Sequence, residues 1–402
     1  MKEKTVYILG AGFSKAIGIC KIGKSELLPP LDADFFYVLE KEGLLEYLLA
    51  DKPCLRHLLD WANIYDINNG RLKQKDFSLE KLWSQINLML KLNSSISGFP
   101  DFGFLSNEKR TVNGIEMEYI PNIDNWKSEM SNDEESLYDI VSEDSNFFNP
   151  DGMILYFAEY EMKRMISEIY SEMDYQSEKK GAIEKFKKIV DDSPIISFNY
   201  DCLVEKIFDR HLLYNYDERL SQNMNNSLII KPHGSLGWVV TKTYYQEEGT
   251  IEVVERIINR KEAQASTFTS KNLINGELNS KTPIIIPMSP GKESFVSSLD
   301  PGRIEICNDN ELNKKREFID CVVSYAKMLE IIRQAERVIF IGYSFPTTDY
   351  ESALLFNLAF GSSMKIECHI CVKGNNIPNP DISCNRVIYY KDGFEHFLDN
   401  FT

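Results

Sequence analysis

Three short stretches put chemically able residues directly after apolar runs. Gly10-Ala11-Gly12-Phe13-Ser14 follows the run from Val6 to Leu9, Asn199-Tyr200-Asp201 follows Pro194 to Phe198, and His233-Gly234-Ser235 follows Leu228 to Pro232. Gly10 and Gly12 lack Cβ atoms, so the turn can be sharp and a ligand can come close to the main chain. A helix starting near Phe13 would aim unpaired N–H groups and its positive dipole end at an anion such as a phosphate. Asn199 carries both a carbonyl acceptor and an NH₂ donor, which suits it to position a water or a hydroxyl. His233 titrates near neutrality and can act as a general base. GxGxS alone is a weak signal, because many glycine turns only join a strand to a helix. The ordered trio is far more specific.

The elements that must position these residues follow from the same runs. Each run is short and mostly apolar, as in a parallel strand covered on both faces. In open α/β sheets, ligands sit outside the carboxyl ends of the strands. Three strands delivering GAGFS, NYD and HGS to one edge would build a nucleotide pocket containing an Asn, an Asp and a His. PIIIP (283–287) is a fourth buried-strand candidate. A helix over about 316–334 leads into the strand RVIFIG, which ends at Gly342, and strands near 366–372 and 386–390 precede a short terminal helix.

Between the first and second blocks, helical periodicity dominates. DADFFYVLEKEGLLEYLLA starts on Asp32 as a cap, and SLEKLWSQINLMLKL starts on Ser78 with Glu80 in its first turn. GMILYFAEYEMKRMISEIYSEM (152–173) and KGAIEKFKKIV (180–190) complete the helical set. Residues 97–151 are rich in Asn, Ser, Asp and Glu and read as an irregular acidic loop. The expected fold is α/β: a doubly wound, parallel, Rossmann-like sheet from 1–31 and 191–402, with a large helical insertion at 32–190.

A hydrophobic content of 43% supports a proper core. The net charge of −16 argues against direct binding to nucleic acid or an anionic membrane surface, and reads most simply as a solubility feature. The eight cysteines are scattered, often within apolar runs, as buried free thiols in a reducing cytosol would be. The single C-x-x-C, Cys368 and Cys371, lies in a strand pattern that puts the two on opposite faces, so no metal site is expected. MKEK and the apolar stretch after it fail as a secretion signal, because glycines and Lys15 interrupt the run and no small-residue cleavage site follows. No run approaches the ~18 apolar residues of a membrane span, and a cytoplasmic protein is expected.

With these residues in view, the chain resembles the sirtuin-like NAD-consuming proteins, specifically the bacterial branch found in antiphage defence. GAGFS corresponds to that family's GAG-x-S phosphate loop, Asn199 and Asp201 to its N-x-D element, and His233 to the histidine of its HG motif. VIFIGYSFPTTDYESALL (338–355) resembles the GYS-[FL]-P-x-x-D signature of the bacterial branch. Only these four blocks are diagnostic; most of the chain between the first and second has no matching motif.

The resemblance implies NAD⁺ as substrate and no metal, with Asn199 and His233 catalytic. It implies that Asp201 holds the nicotinamide amide or its ribose surroundings. Gly10, Ser14 and the N–H groups of Ala11, Gly12 and Phe13 would face the pyrophosphate, and Gly342, Tyr343 and Ser344 the adenosine half. The chain departs from the deacylase sirtuins in three ways. It lacks the zinc cysteines, IIIPMSPGK stands where deacylases carry their FGE segment, and PPLDADFF lacks the arginine of their P-D-F-R loop. Water is then the acceptor, and the expected function is an NAD⁺ glycohydrolase, the toxic effector of an antiphage (abortive infection) system. An NAD-dependent protein deacylase or ADP-ribosyltransferase, and a non-catalytic sensor of NAD or ADP-ribose, are the alternatives.

The final strands and helix run almost to Thr402, so control is expected from a homo-oligomer or a separate protein. A HerA-type hexameric ATPase is the partner that the resemblance implies. Duller readings stay open at several residues. Asn199 and Asp201 could cap a helix near Cys202, His233 could be a packed histidine, and Asp349 reads as a turn or cap residue. Phe35 reads as core; His57, His211, His369 and His396 read as structural.

Overall fold

The structure is a computed structural model. It describes residues 4–75, 77–86, 110–112, 115–117, 150–170, 172–208, 229–247, 250–259, 277–285, 325, 327–346, 349–361, 365–374, 382 and 384–401. The chain divides into two compact units, Met1–Leu31 with Ser167–Thr402, and Asp32–Ile166.

The first unit holds a six-stranded parallel sheet: β1 (Thr5–Leu9), β2 (Ile195–Ser197), β3 (Ile229–Ile230), β4 (Arg337–Ile341), β5 (Glu367–Cys371) and β6 (Arg386–Tyr390). Across the sheet they lie in the order 3-2-1-4-5-6, that of dinucleotide-binding folds. β1 and β4 pair along their whole length, from Thr5 opposite Arg337 to Leu9 opposite Ile341. Alternate residues of β1 serve two cores. Val6 and Ile8 pack with Met328, Ile332, Phe356 and Phe360, from the helical turns at 327–333 and from α4 (Tyr350–Gly361). Tyr7 meets Phe186 of α2 (Lys180–Val190) edge-on at 5.9 Å. Phe186 in turn touches Phe13 of α1 (Ala11–Ile17) and Phe394 of α5 (Phe394–Asn400). With helices on both faces, the sheet is doubly wound and Rossmann-like. A shorter helix, α3 (Leu203–Phe208), follows β2.

Three readings of the sequence change. PIIIP does not join the parallel sheet: Glu277–Ile285 pairs antiparallel with Gly234–Glu247, which also pairs with Thr250–Asn259. A long strand leaving the HGS turn offers its edges to antiparallel neighbours, which need no helical crossover. The insertion was expected to end at 190, but the second unit ends at Ile166 and α2 belongs with the sheet, held by Phe186. The helix expected to run from Asp32 breaks into Phe35–Lys41 and Leu45–Leu49, with Gly43 at φ +69° between them. Asp32 instead accepts the Glu80 N–H at 2.6 Å, capping the helical segment 79–86 together with Ser78, which accepts from Lys81 at 3.1 Å.

Within the second unit, Phe35 is buried against Phe36, and the Glu161 carboxylate receives the N–H groups of Cys54 and Leu55 at the start of Pro53–Trp61. A carboxylate at a helix N-terminus meets both orphan donors and the positive dipole end. Most of 97–151, and the start of the helix expected from 316, lie outside the described residues. Among the described residues, no helix is long and apolar enough to cross a membrane.

β5 carries a titratable group inside the fold. His369 is buried, with Nδ1 3.1 Å from the Tyr390 hydroxyl and Nε2 3.3 Å from the Glu367 carboxylate. Burial pulls its pKa below the ordinary imidazole value, outweighing the pull of Glu367 in the other direction. The folded state therefore favours neutral His369. Its contribution to stability is full above the unfolded value of about 6.5 and is lost as pH falls toward the lower folded value. Urea midpoints should drop between pH 7.5 and 5.5, and drop less in His369→Gln; an equal drop in both proteins would assign the effect elsewhere.

Candidate active site

The GAG turn is positioned by another turn. β1 ends beside β4, and the backbones that leave them cross. Gly10 N–H bonds to Ile341 C=O at 3.0 Å, and Gly12 N–H to Gly342 C=O at 2.9 Å. A Cβ on Gly10 would sit 2.6 Å from the Gly342 oxygen, and one on Gly12 2.8 Å from the Gly342 Cα. Gly342 has φ +63°, and a Cβ there would collide with the Phe13 nitrogen and the Gly12 carbonyl carbon. The glycines of GAGFS and GYS are thus fixed by each other, at the point where strand order reverses and ligands bind in such sheets.

This corrects the expected phosphate cradle. Gly12 N–H is bonded to Gly342 and Phe13 N–H to Gly10 C=O at 2.9 Å, so two of the three amides assigned to an anion already have acceptors. The Phe13 side chain is fully buried in the aromatic core, and Ser344 stands exposed after β4.

Ser14, Asn199 and Asp201 come together. Asn199 Nδ2 donates to Gly10 C=O at 3.0 Å and to Ser14 Oγ at 2.8 Å, and Ser14 Oγ–H donates to Asp201 Oδ2 at 2.7 Å. The other Asp201 oxygen accepts the Leu203 N–H at 3.0 Å at the start of α3. Asp201 therefore caps a helix and anchors the site at once. Asn199 is buried, and its Oδ1 has no hydrogen-bond partner among the described residues.

His233 belongs to a second group. Its ring is wholly buried, edge-on to Phe198 at 4.9 Å, with Nε2 3.3 Å from Asp349 Oδ2. The same Asp349 oxygen receives the Tyr343 hydroxyl at 2.8 Å, and Tyr343 lies against Phe198 at 4.8 Å. The two groups meet at the Phe198–Asn199 peptide: Phe198 faces the core shared with α4, while Asn199 turns to α1. The loops are also joined by Leu236 N–H to Tyr200 C=O, at 2.9 Å.

A third, unforeseen set lies beneath. Lys231, buried at the end of β3, donates to Glu205 at 2.7 Å, to Ser235 Oγ at 3.1 Å and to the Asp201 carbonyl. Burial works against the Lys231 ammonium, but Glu205, with Cys202 and Asp201, outweighs it and holds the pKa above its usual value. Burial pushes the Cys202 thiol up to about 11, so it stays protonated at neutral pH. The sequence signal was present: a lysine inside the apolar run LIIKPH must find partners, because an unpaired buried charge is untenable. Asp349 gave a weaker signal, as His233 lies in a turn far away in the sequence. Among the described residues, no cluster of His, Cys, Asp and Glu is arranged to hold a metal.

No family model matches the sequence, and a comparison with curated proteins finds no match.

Gly342→Ala combines a left-handed backbone with a clash against main chain, and should cost about 2–5 kcal/mol. Gly23→Ala, at φ +60° with no atom near its Cβ, should cost about 1–2 kcal/mol. Denaturant melts compare them, and equal costs would contradict the interlocked turns. Lys231→Met should cost about 3–5 kcal/mol by stranding the Glu205 carboxylate, and adding Glu205→Gln should recover part of it. No recovery in the same melts would count against the ion pair.

Proposed function

We propose that the chain is an NAD⁺ glycohydrolase, converting NAD⁺ and water to nicotinamide, ADP-ribose and a proton. The observation that carries this reading is the buried Ser14–Asn199–Asp201 set beside the sheet's reversal point, with the Asn199 carbonyl oxygen meeting no donor among the described residues. A ribose hydroxyl or the attacking water supplies the donor it lacks. Nicotinamide leaves without an acid, because the pyridinium takes the electron pair of the glycosidic bond and becomes neutral. Water then bonds to C1′ on the opposite face, and His233 accepts its proton. Asp201 holds Asn199 in place through Ser14, a positioning role that differs from the amide contact first expected.

The resemblance of the four motif blocks to the bacterial sirtuin-like branch supports a cytoplasmic antiphage effector whose activity is restrained. Restraint by self-assembly or by a HerA-type hexameric ATPase is part of this proposal. Burial fits such restraint: Ser14, Asn199, Asp201 and His233 are all buried.

One observation favours a second reading, a non-catalytic NAD or ADP-ribose sensor: His233 is enclosed by Phe198 and bonded within the protein, as a packed histidine would be. Incubation with NAD⁺, alone and with the products of neighbouring genes, separates the two by chromatography of nicotinamide and ADP-ribose. Asn199→Ala and His233→Ala should each lower turnover by about 10²–10⁴-fold. Absence of both products under every condition, with cellular function surviving both substitutions, would favour the sensor.

A further inference from the structure

Asp349 carries a buried carboxylate for which the reaction above has no role. It stands just ahead of α4, wholly buried, with its backbone C=O accepting from Ala353 at 3.1 Å. Its Oδ2 takes the Tyr343 hydroxyl proton at 2.8 Å and faces His233 Nε2 at 3.3 Å. A buried carboxylate needs donors. Tyr343 is one, and the imidazole becomes another only if Nε2 carries the proton.

We propose that Asp349 is the positioning residue of His233: it holds the imidazole as the Nε2–H tautomer, so that Nδ1 is the nitrogen that takes a proton. The tautomer stands on this geometry alone, whereas its catalytic consequence rests on the glycohydrolase reading. As the water oxygen bonds to C1′ and nicotinamide departs with the electron pair of the broken bond, the water's proton moves to Nδ1. The imidazolium so formed is compensated by the Asp349 carboxylate, an orienting acid acting through a histidine. Phe198, edge-on to the ring at 4.9 Å, limits its rotation. Tyr343, assigned from resemblance to the adenosine half, then serves to aim Asp349.

Long-range ¹H–¹⁵N spectra of the ¹⁵N-labelled full chain at pH 8 read the tautomer directly, with His233→Gln identifying the signals. The wild type should give the Nε2-protonated pattern. Asp349→Leu should let the Nδ1–H form grow in, because it removes the one oxygen that the Tyr343 hydroxyl and Nε2–H share. A wild-type Nδ1–H pattern, or no change in Asp349→Leu, overturns the proposal. Where the wild type hydrolyses NAD⁺, Asp349→Asn should lower kcat at least about tenfold while KM stays within about threefold. Unchanged kcat would remove the catalytic role. Should Asp349→Asn fail to fold, Tyr343→Phe takes its place, with kcat expected about three- to tenfold lower at constant KM, and unchanged kcat counting against the proposal. A wild type with no turnover either alone or with the products of neighbouring genes would sink the glycohydrolase reading, yet the spectra would still decide the tautomer.

Discussion

Two backbones cross beside the reversal point of the sheet with no room for a side chain between them. Because β1 and β4 pair in register to their last residues, the turns after Leu9 and Ile341 leave at the same level and must pass each other. Only glycine fits at Gly10, Gly12 and Gly342, and the crossing is closed by the Gly12 to Gly342 hydrogen bond. Two of the three polar groups in the candidate site hang from this crossing. It sets the Gly10 carbonyl, which receives Asn199; Asn199 engages Ser14, and Ser14 engages Asp201. On its other side, the chain leaving Gly342 carries Tyr343, which aims Asp349 at His233.

Much of the sheet was legible because a strand buried on both faces leaves a short, mostly apolar run. Val6–Leu9, Ile195–Phe198 and the run ending at Ile341 could hardly be anything else once flanked by turns and helices. The convergence of Ser14, Asn199 and Asp201 was legible too, since carboxyl ends of neighbouring parallel strands share one edge. What escaped the sequence were pairings that cross elements. Asp32 looked like the cap of its own helix but caps another, because any helix start with open N–H groups can recruit a carboxylate from elsewhere. PIIIP had the composition of a parallel strand, but pairing depends on which edge is open, and the long strand after HGS offered the nearer one. The glycine motif was read for ligand approach, yet its tightest constraint is protein against protein.

The buried polar groups also decide which way Asn199 faces. Ser14 has one hydroxyl proton, and it points to the Asp201 carboxylate, which can only accept. Ser14 Oγ must therefore accept from Asn199, so the NH₂ of that side chain faces Ser14 and Gly10. Rotating the amide by half a turn would set its oxygen against two other acceptors and lose both hydrogen bonds. The direction of donation thus propagates from a helix-capping carboxylate to a carbonyl oxygen that meets no donor among the described residues. A buried acceptor left unmet costs about 1–3 kcal/mol, and that cost is relieved when a ligand hydroxyl or a water arrives. The arrangement is costly as a fold, so the polarity of Asn199 supports the proposed binding role more firmly than its position in a motif does.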